Sequence, residues 1–167
     1  GIMGAQDGHI TGMARSADLA PNAEIVGIVE ASDAHYERIA KGRPIPRYRT
    51  LEEMIEKARP QLILEGLNHK EKTALVETAA AAGVHLLLDK PLCTSFEDWQ
   101  RMKEAVAAGG IKLSMWFTSR SYKPFVALRE HILAGHLGEL VSFISTHPHK
   151  LWPGRPAWYF DPNVYTG

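Results

Sequence analysis

The run Val84-His85-Leu86-Leu87-Leu88 breaks off in Asp89-Lys90-Pro91, and it restricts the possible folds more than any other stretch. Consecutive apolar residues closed by a sharp break read as a strand covered on both faces, as in parallel sheets. Comparable runs occupy 23–30, 62–67 and 111–117, and residues 1–4 read as the end of a first strand. Between them lie segments of helical spacing. Ile10, Met13, Ala14 and Ala17 share one helix face, and residues 32–41 end on a basic turn closed by Gly42. Thr50 and Glu53 form a capping box ahead of a helix through Arg59, the alanine-rich span 70–82 stops at Gly83, and a helix opening at Ser95 stops at Gly109-Gly110. Tyr48 is expected in a short edge strand. Strand and helix alternating through short right-handed crossovers predict an α/β fold with a doubly wound parallel sheet.

In such a sheet a ligand sits beyond the carboxyl ends of the strands, which is where Lys90 falls. Pro91 removes a donor and fixes the backbone just past it. A lysine paired with an acid in a turn is the plainer alternative. The loop Gly4-Ala5-Gln6-Asp7-Gly8-His9 lies between the first strand and first helix. Strand, glycine loop and helix is the setting in which helix N-terminal N–H groups hold a pyrophosphate. An ordinary strand–helix turn remains the alternative, because Gln6 stands where a second glycine would let backbone approach phosphate. Glu30 closes the second strand at roughly the separation from the loop at which an acid bonds adenosine ribose hydroxyls. A carboxylate there repels a ribose phosphate, so NAD is expected ahead of NADP. Capping of the next helix, together with Ser32 and Asp33, is the competing reading of Glu30.

Nineteen basic residues balance nineteen acidic ones, so no net field favours nucleic acid or an anionic membrane. No apolar run reaches the about 18 residues that a membrane span requires. The lone Cys93 cannot form an intrachain disulfide, which leads us to expect a reducing compartment, the cytoplasm. Past Phe117 the rhythm changes. A helix from Phe125 to Leu133 precedes an alternating stretch, 138–147, suited to an antiparallel sheet, and the remainder is rich in aromatics and proline. We therefore expect a cofactor domain over residues 1–118 and the beginning of a second domain over 119–167, within a longer polypeptide.

These pieces, in this order, resemble the glucose–fructose oxidoreductase / inositol dehydrogenase (Gfo/Idh/MocA) family. The resemblance rests on the loop 4–9, Glu30, Gly66-Leu67-Asn68-His69, Asp89-Lys90-Pro91, Arg120, Gly135-His136-Leu137-Gly138 and Trp158-Tyr159-Phe160-Asp161. It implies an NAD(P)-binding Rossmann domain followed by an α+β domain with an open, mainly antiparallel sheet through which chains oligomerise. The implied activity is hydride transfer between the nicotinamide and a hydroxyl or carbonyl of a sugar, cyclitol or similar small molecule. Lys90 matches the family's active-site lysine. Gly4, Ala5, Gln6, Asp7, Gly8, His9, Glu30, Gly66, Leu67, Asn68, His69, Asp89, Lys90, Pro91 and Arg120 are implied to line the cofactor. His149, Trp158 and Tyr165 are candidates for contact with substrate. Trp152 and Tyr159 could extend that aromatic wall or simply pack a core. Asp89 stands where the family has glutamate, and the aspartate and histidine that act as proton acceptors are expected beyond Gly167. Histidines 9, 136, 147 and 149 fit strand or loop positions, and no metal is expected. The alternatives are an NAD-binding sensor without turnover, or cofactor-assisted glycoside cleavage or elimination on the same scaffold.

Overall fold

The computed structural model describes residues 1–146, 154–155 and 157–162. It divides into two compact units, one of residues 1–116 with the described part of 156–167, the other of residues 117–155.

The first unit is a six-stranded, all-parallel sheet. Its strands are β1 (Ile2–Met3), β2 (Ile28–Val29), β3 (Arg47–Tyr48), β4 (Leu62–Glu65), β5 (His85–Asp89) and β6 (Leu113–Trp116). Their spatial order is β3-β2-β1-β4-β5-β6. Between them run α1 (His9–Leu19), α2 (Asp33–Ala40), α3 (Leu51–Ala58), α4 (Lys72–Ala81) and α5 (Phe96–Gly109). The expected doubly wound parallel sheet is borne out.

Both faces of the sheet's inner strands are covered, which is why these strands read as apolar runs, while the edge strand β3 is Arg47–Tyr48. Ile2, Ile28 and Leu64 pack with Ile10 and Met13 of α1 and Ile39 of α2. Ile63, Leu86 and Leu88 pack on the other face with Met54 of α3, Val76 of α4 and Met102 of α5. Adjacent residues Ile63 and Leu64 thus serve opposite layers, as the two-residue period of a strand requires.

Local chemistry sets the helix boundaries. Ser32, Thr50 and Ser95 each accept a backbone N–H bond from the residue three positions on, at 3.3, 3.1 and 3.0 Å. Glu53 reaches back past the Thr50 N-cap to the Arg49 N–H at 2.9 Å, one residue before the donor that the expected capping box uses. The ladders are shorter than the apolar runs. Of residues 23–30 only Ile28 and Val29 pair with β1, and the third run ends its pairing at Glu65, where the chain turns.

The second unit contains a 3-10 turn, Thr118–Ser121, and α6 (Lys123–Leu133), with Pro124 in the helix's first turn. Gly135 and Gly138 take φ of 76° and 69° beyond it, the left-handed region that favours glycine. Residues 138–146, expected as a strand, form none, because a strand exists by pairing and no neighbour among the described residues of this unit supplies it.

Candidate functional site

Strand order reverses between β1 and β4, and crossovers leave this point toward opposite faces. That switch point opens a crevice at the carboxyl ends of the strands. Two glycines let the loops close on each other there. Gly4 has φ of 73°, and a Cβ on it would collide with the Leu67 side chain. A Cβ on Gly66 would come within 2.8 Å of the Ile10 Cβ and 2.9 Å of the Gly4 carbonyl oxygen. The loops are then stitched by backbone. Gly66 donates to Met3 O at 3.0 Å, while Gln6 and Asp7 N–H groups both donate to Gly66 O, at 2.9 and 3.2 Å.

Glu30, expected to meet ribose, is drawn into this stitching. Its Oε2 accepts the Ala5 N–H at 2.6 Å and its Oε1 the Ser32 N–H at 2.8 Å. The carboxylate is 7 % exposed, with His35 Nδ1 3.8 Å away. Each oxygen keeps a further lone pair, so binding a hydroxyl adds to these bonds and does not break them. Ser32, not Glu30, caps α2. The Arg38 guanidinium donates to the Ala5 carbonyl, placing a cation beside the same loop.

His9 occupies the place that the third glycine has in a G-x-G-x-x-G loop opened by Gly4. Its Nδ1 lies 2.9 and 3.1 Å from the two Asp89 carboxylate oxygens, and the nitrogen facing a carboxylate must carry the proton. The hydrogen bond that His9 donates to Asp89 raises its pKa above 6.5, burial opposes this, and the charges of Asp89 and Asp7 add to the rise. Asp7 itself accepts the His9 N–H at 2.8 Å. Ligand atoms of Asp7, His9 and Asp89 lie within 4.8 Å of one another, and the imidazole–carboxylate bond accounts for that grouping without an ion.

Beneath this surface lies a pair that sequence reasoning missed. Glu65 ends β4 fully buried, and Lys72 opens α4 at 1 % exposure. Lys72 Nζ sits 3.2 Å from Glu65 Oε2 and donates to the carbonyls of Asp89 and Pro91, at 2.6 and 3.0 Å. Glu65 accepts N–H bonds from Leu67 at 2.5 Å and Asp89 at 3.1 Å. Burial pushes the Glu65 carboxyl up to about 7, against the pull of the Lys72 ammonium and these N–H donors. One signal was legible: an acid inside an apolar run needs a buried partner.

Lys90 is exposed at the rim, its N–H donating to Asp89 Oδ1 at 2.9 Å and its peptide bond to Pro91 cis. Its ammonium acts on both His9 and His69, favouring the neutral imidazole in each. His69 is buried, and burial is the largest cause of its lowered pKa, ahead of the charges of Lys72 and Lys90. Its ring meets the edge of Trp158 at 5.4 Å, and Tyr159 OH reaches Asp7 Oδ2 at 3.5 Å. Asn68 accepts the Lys70 N–H at 3.1 Å and donates to Glu71, and Gln6 Nε2 reaches the same Glu71 oxygen at 3.4 Å. The edge therefore gathers loop 4–9, Glu30, residues 66–69, residues 89–91 and Trp158. Arg120 belongs to the 3-10 turn of the second unit. His149 and Tyr165, like His147 and Trp152, lie outside the described residues.

These groups fit a dinucleotide. The Gly4–Gly66 contact keeps the backbone bare at the switch point, and α1 begins where this loop ends, with the His9 N–H taken by Asp7 Oδ1 and the Thr11 N–H by Gly8 O. Fold and edge together define an NAD-binding Rossmann domain. The chain belongs to the Gfo/Idh/MocA family of oxidoreductases, whose description is an oxidoreductase family with an NAD-binding Rossmann fold and whose model matches residues 1–117. The sequence is 27% identical over 166 residues to glucose-6-phosphate 3-dehydrogenase of Bacillus subtilis, covering 98% of this chain and 46% of that protein. An uncharacterized oxidoreductase of Schizosaccharomyces pombe is 25% identical over 122 residues, 72% of this chain and 33% of that one. The chain thus spans less than half the length of these curated relatives. Among solved structures, an Erwinia carotovora protein described as an oxidoreductase superposes with a TM-score of 0.92 at 23% identity, over 99% of this chain and 50% of that one. At that identity the likeness speaks for the fold. No helix among the described residues is long and apolar enough to cross a membrane.

Proposed function

We propose that the protein is an NAD-dependent dehydrogenase that oxidises a hydroxyl of a sugar, cyclitol or related small molecule. The observation that carries the reading is the placement of Lys90, exposed at the end of β5 on the switch-point edge and close enough to His9 and His69 to influence both. The bound cofactor would supply the hydride acceptor. Lys90 Nζ would donate a hydrogen bond to the reacting hydroxyl oxygen, which lowers the cost of negative charge developing there as the proton leaves. His69, its imidazole held toward the neutral form, would shape the wall beside that oxygen together with Trp158. Glu30, tied to Ala5 and Ser32, would present its remaining lone pairs to a ribose and disfavour a ribose phosphate. We read the second unit, which contains Arg120, as the start of a substrate-binding and oligomerisation domain in a cytoplasmic protein. The named relative that acts on glucose 6-phosphate supports a sugar-like substrate.

The test is formation of NADH from NAD with a panel of polyols and sugars, alongside calorimetric titration with NAD and NADP. Turnover that survives the complete loss of NAD binding overturns the reading. Tight NAD binding with no turnover on any hydroxyl substrate favours the sensor instead.

A further inference from the structure

Lys72 and Glu65 are buried beneath the crevice and carry no assigned role there, yet they hold backbone polar groups of the residues before and after Lys90. Glu65 takes the Asp89 N–H, and Lys72 takes the Asp89 and Pro91 carbonyls. The three N–H donors of the ammonium meet three acceptors, two carbonyls and a carboxylate oxygen. The carboxylate in turn accepts from Leu67, so the β4 loop and the β5 turn are locked to one another.

A buried ion pair contributes little net stability compared with apolar residues of the same volume. Three bonds directed at one short turn are better explained by geometry. We propose that the buried Glu65–Lys72 pair is the positioning element for Lys90, fixing the backbone at Asp89 before it and at Pro91 after it and so the direction in which its ammonium enters the crevice. This rests on the reading of Lys90 as the residue that contacts substrate. Lys72 and Glu65 act through Lys90 and are positioning residues. Because a near-attack geometry tolerates little error, a loosened turn lowers the rate of the chemical step and leaves binding nearly intact.

The test uses the full-length protein and the neutral variant Glu65→Gln/Lys72→Met, which leaves no unpaired buried charge and keeps an acceptor at position 65. Folding is followed by thermal melting, NAD affinity by calorimetry, the Lys90 turn by hydrogen exchange at the Lys90 amide, and turnover by NADH formation. The expected result is Lys90 amide exchange accelerated by about 100-fold and kcat lowered by about 100-fold. KM for substrate and Kd for NAD should stay within about 3-fold. A folded variant with wild-type Lys90 exchange and wild-type kcat overturns the proposal. Should the double variant not fold, Lys72→Arg retains the charge but offers a planar fork that cannot serve both carbonyls as the ammonium does. Its kcat is then expected to fall about 10-fold at unchanged KM, and an unchanged kcat overturns the proposal. If the wild type yields no NADH from any polyol or sugar, the hydride-transfer reading fails, while Lys90 exchange still decides whether the pair positions the turn.

Discussion

The His9 imidazole and the Asp89 carboxylate, 80 positions apart in the chain, meet at 2.9 Å across the ends of β1 and β5. This contact joins the loop that would carry a pyrophosphate to the residue preceding Lys90, and its strength depends on a proton.

Because Asp89 and Asp7 raise the His9 pKa in the folded state, with Lys90 opposing them, the fold favours the imidazolium. The stabilisation is complete below the unfolded value of 6.5 and is lost as pH rises through the higher folded value. The melting temperature of His9→Gln should therefore fall furthest below wild type near about pH 6 and approach it toward about pH 9. A difference that does not change with pH would remove His9 from this role.

Gly66→Ala should destabilise the domain by about 1–3 kcal/mol, because the new Cβ meets the Ile10 Cβ and the Gly4 carbonyl, neither of which is a flexible chain end. Denaturant unfolding checks the size. A loss under about 0.5 kcal/mol would mean the loops part easily.

Glu30→Gln replaces a carboxylate that accepts from two backbone amides with a group that can properly satisfy one of them. NAD affinity should weaken about 10-fold, which is about 1.4 kcal/mol, and NADP affinity should fall less or rise. Calorimetry with both cofactors reads the ratio. An unchanged preference would shift the discrimination to Arg38, the cation beside that loop.

Lys90→Ala should lower kcat by about 10²–10⁴-fold while leaving stability within about 0.5 kcal/mol, since the side chain is exposed. Lys90→Arg should not restore the rate, because a planar guanidinium places its donors differently. Activity retained in Lys90→Ala would assign the chemistry to another residue.

The centre of the sheet was legible because both of its faces are buried: Leu86 and Leu88 serve one layer, Leu64 the other, and the inner strands become apolar runs. The helix caps Ser32, Thr50 and Ser95 were legible because a cap is local chemistry. The Glu65–Lys72 pair was not. In an alanine-rich helix Lys72 reads as a solvated face, and only the packing of α4 against the β5 turn shows where its ammonium goes. Glu30 was noticed as an acid at a strand end, but its bonds to Ala5 and Ser32 depend on how closely two loops approach. His9 read as one more loop residue because its partner lies in β5, four strands after β1. Strand 138–147 was expected from alternation alone, and alternation does not supply a neighbour.

The stitching at the switch point also bears on how this domain comes apart. Bonds from Glu65, Lys72, His9 and Gly66 connect segments far apart in the chain, so no single hairpin or helix pair can build the crevice early in folding. Opening any one of β1, β4 or β5 dissolves the site along with the sheet. A molecule bound in the crevice would then protect amides deep in Ile63 and Leu86 against exchange as strongly as those it touches, making hydrogen exchange in the core a direct reporter of occupancy at the rim.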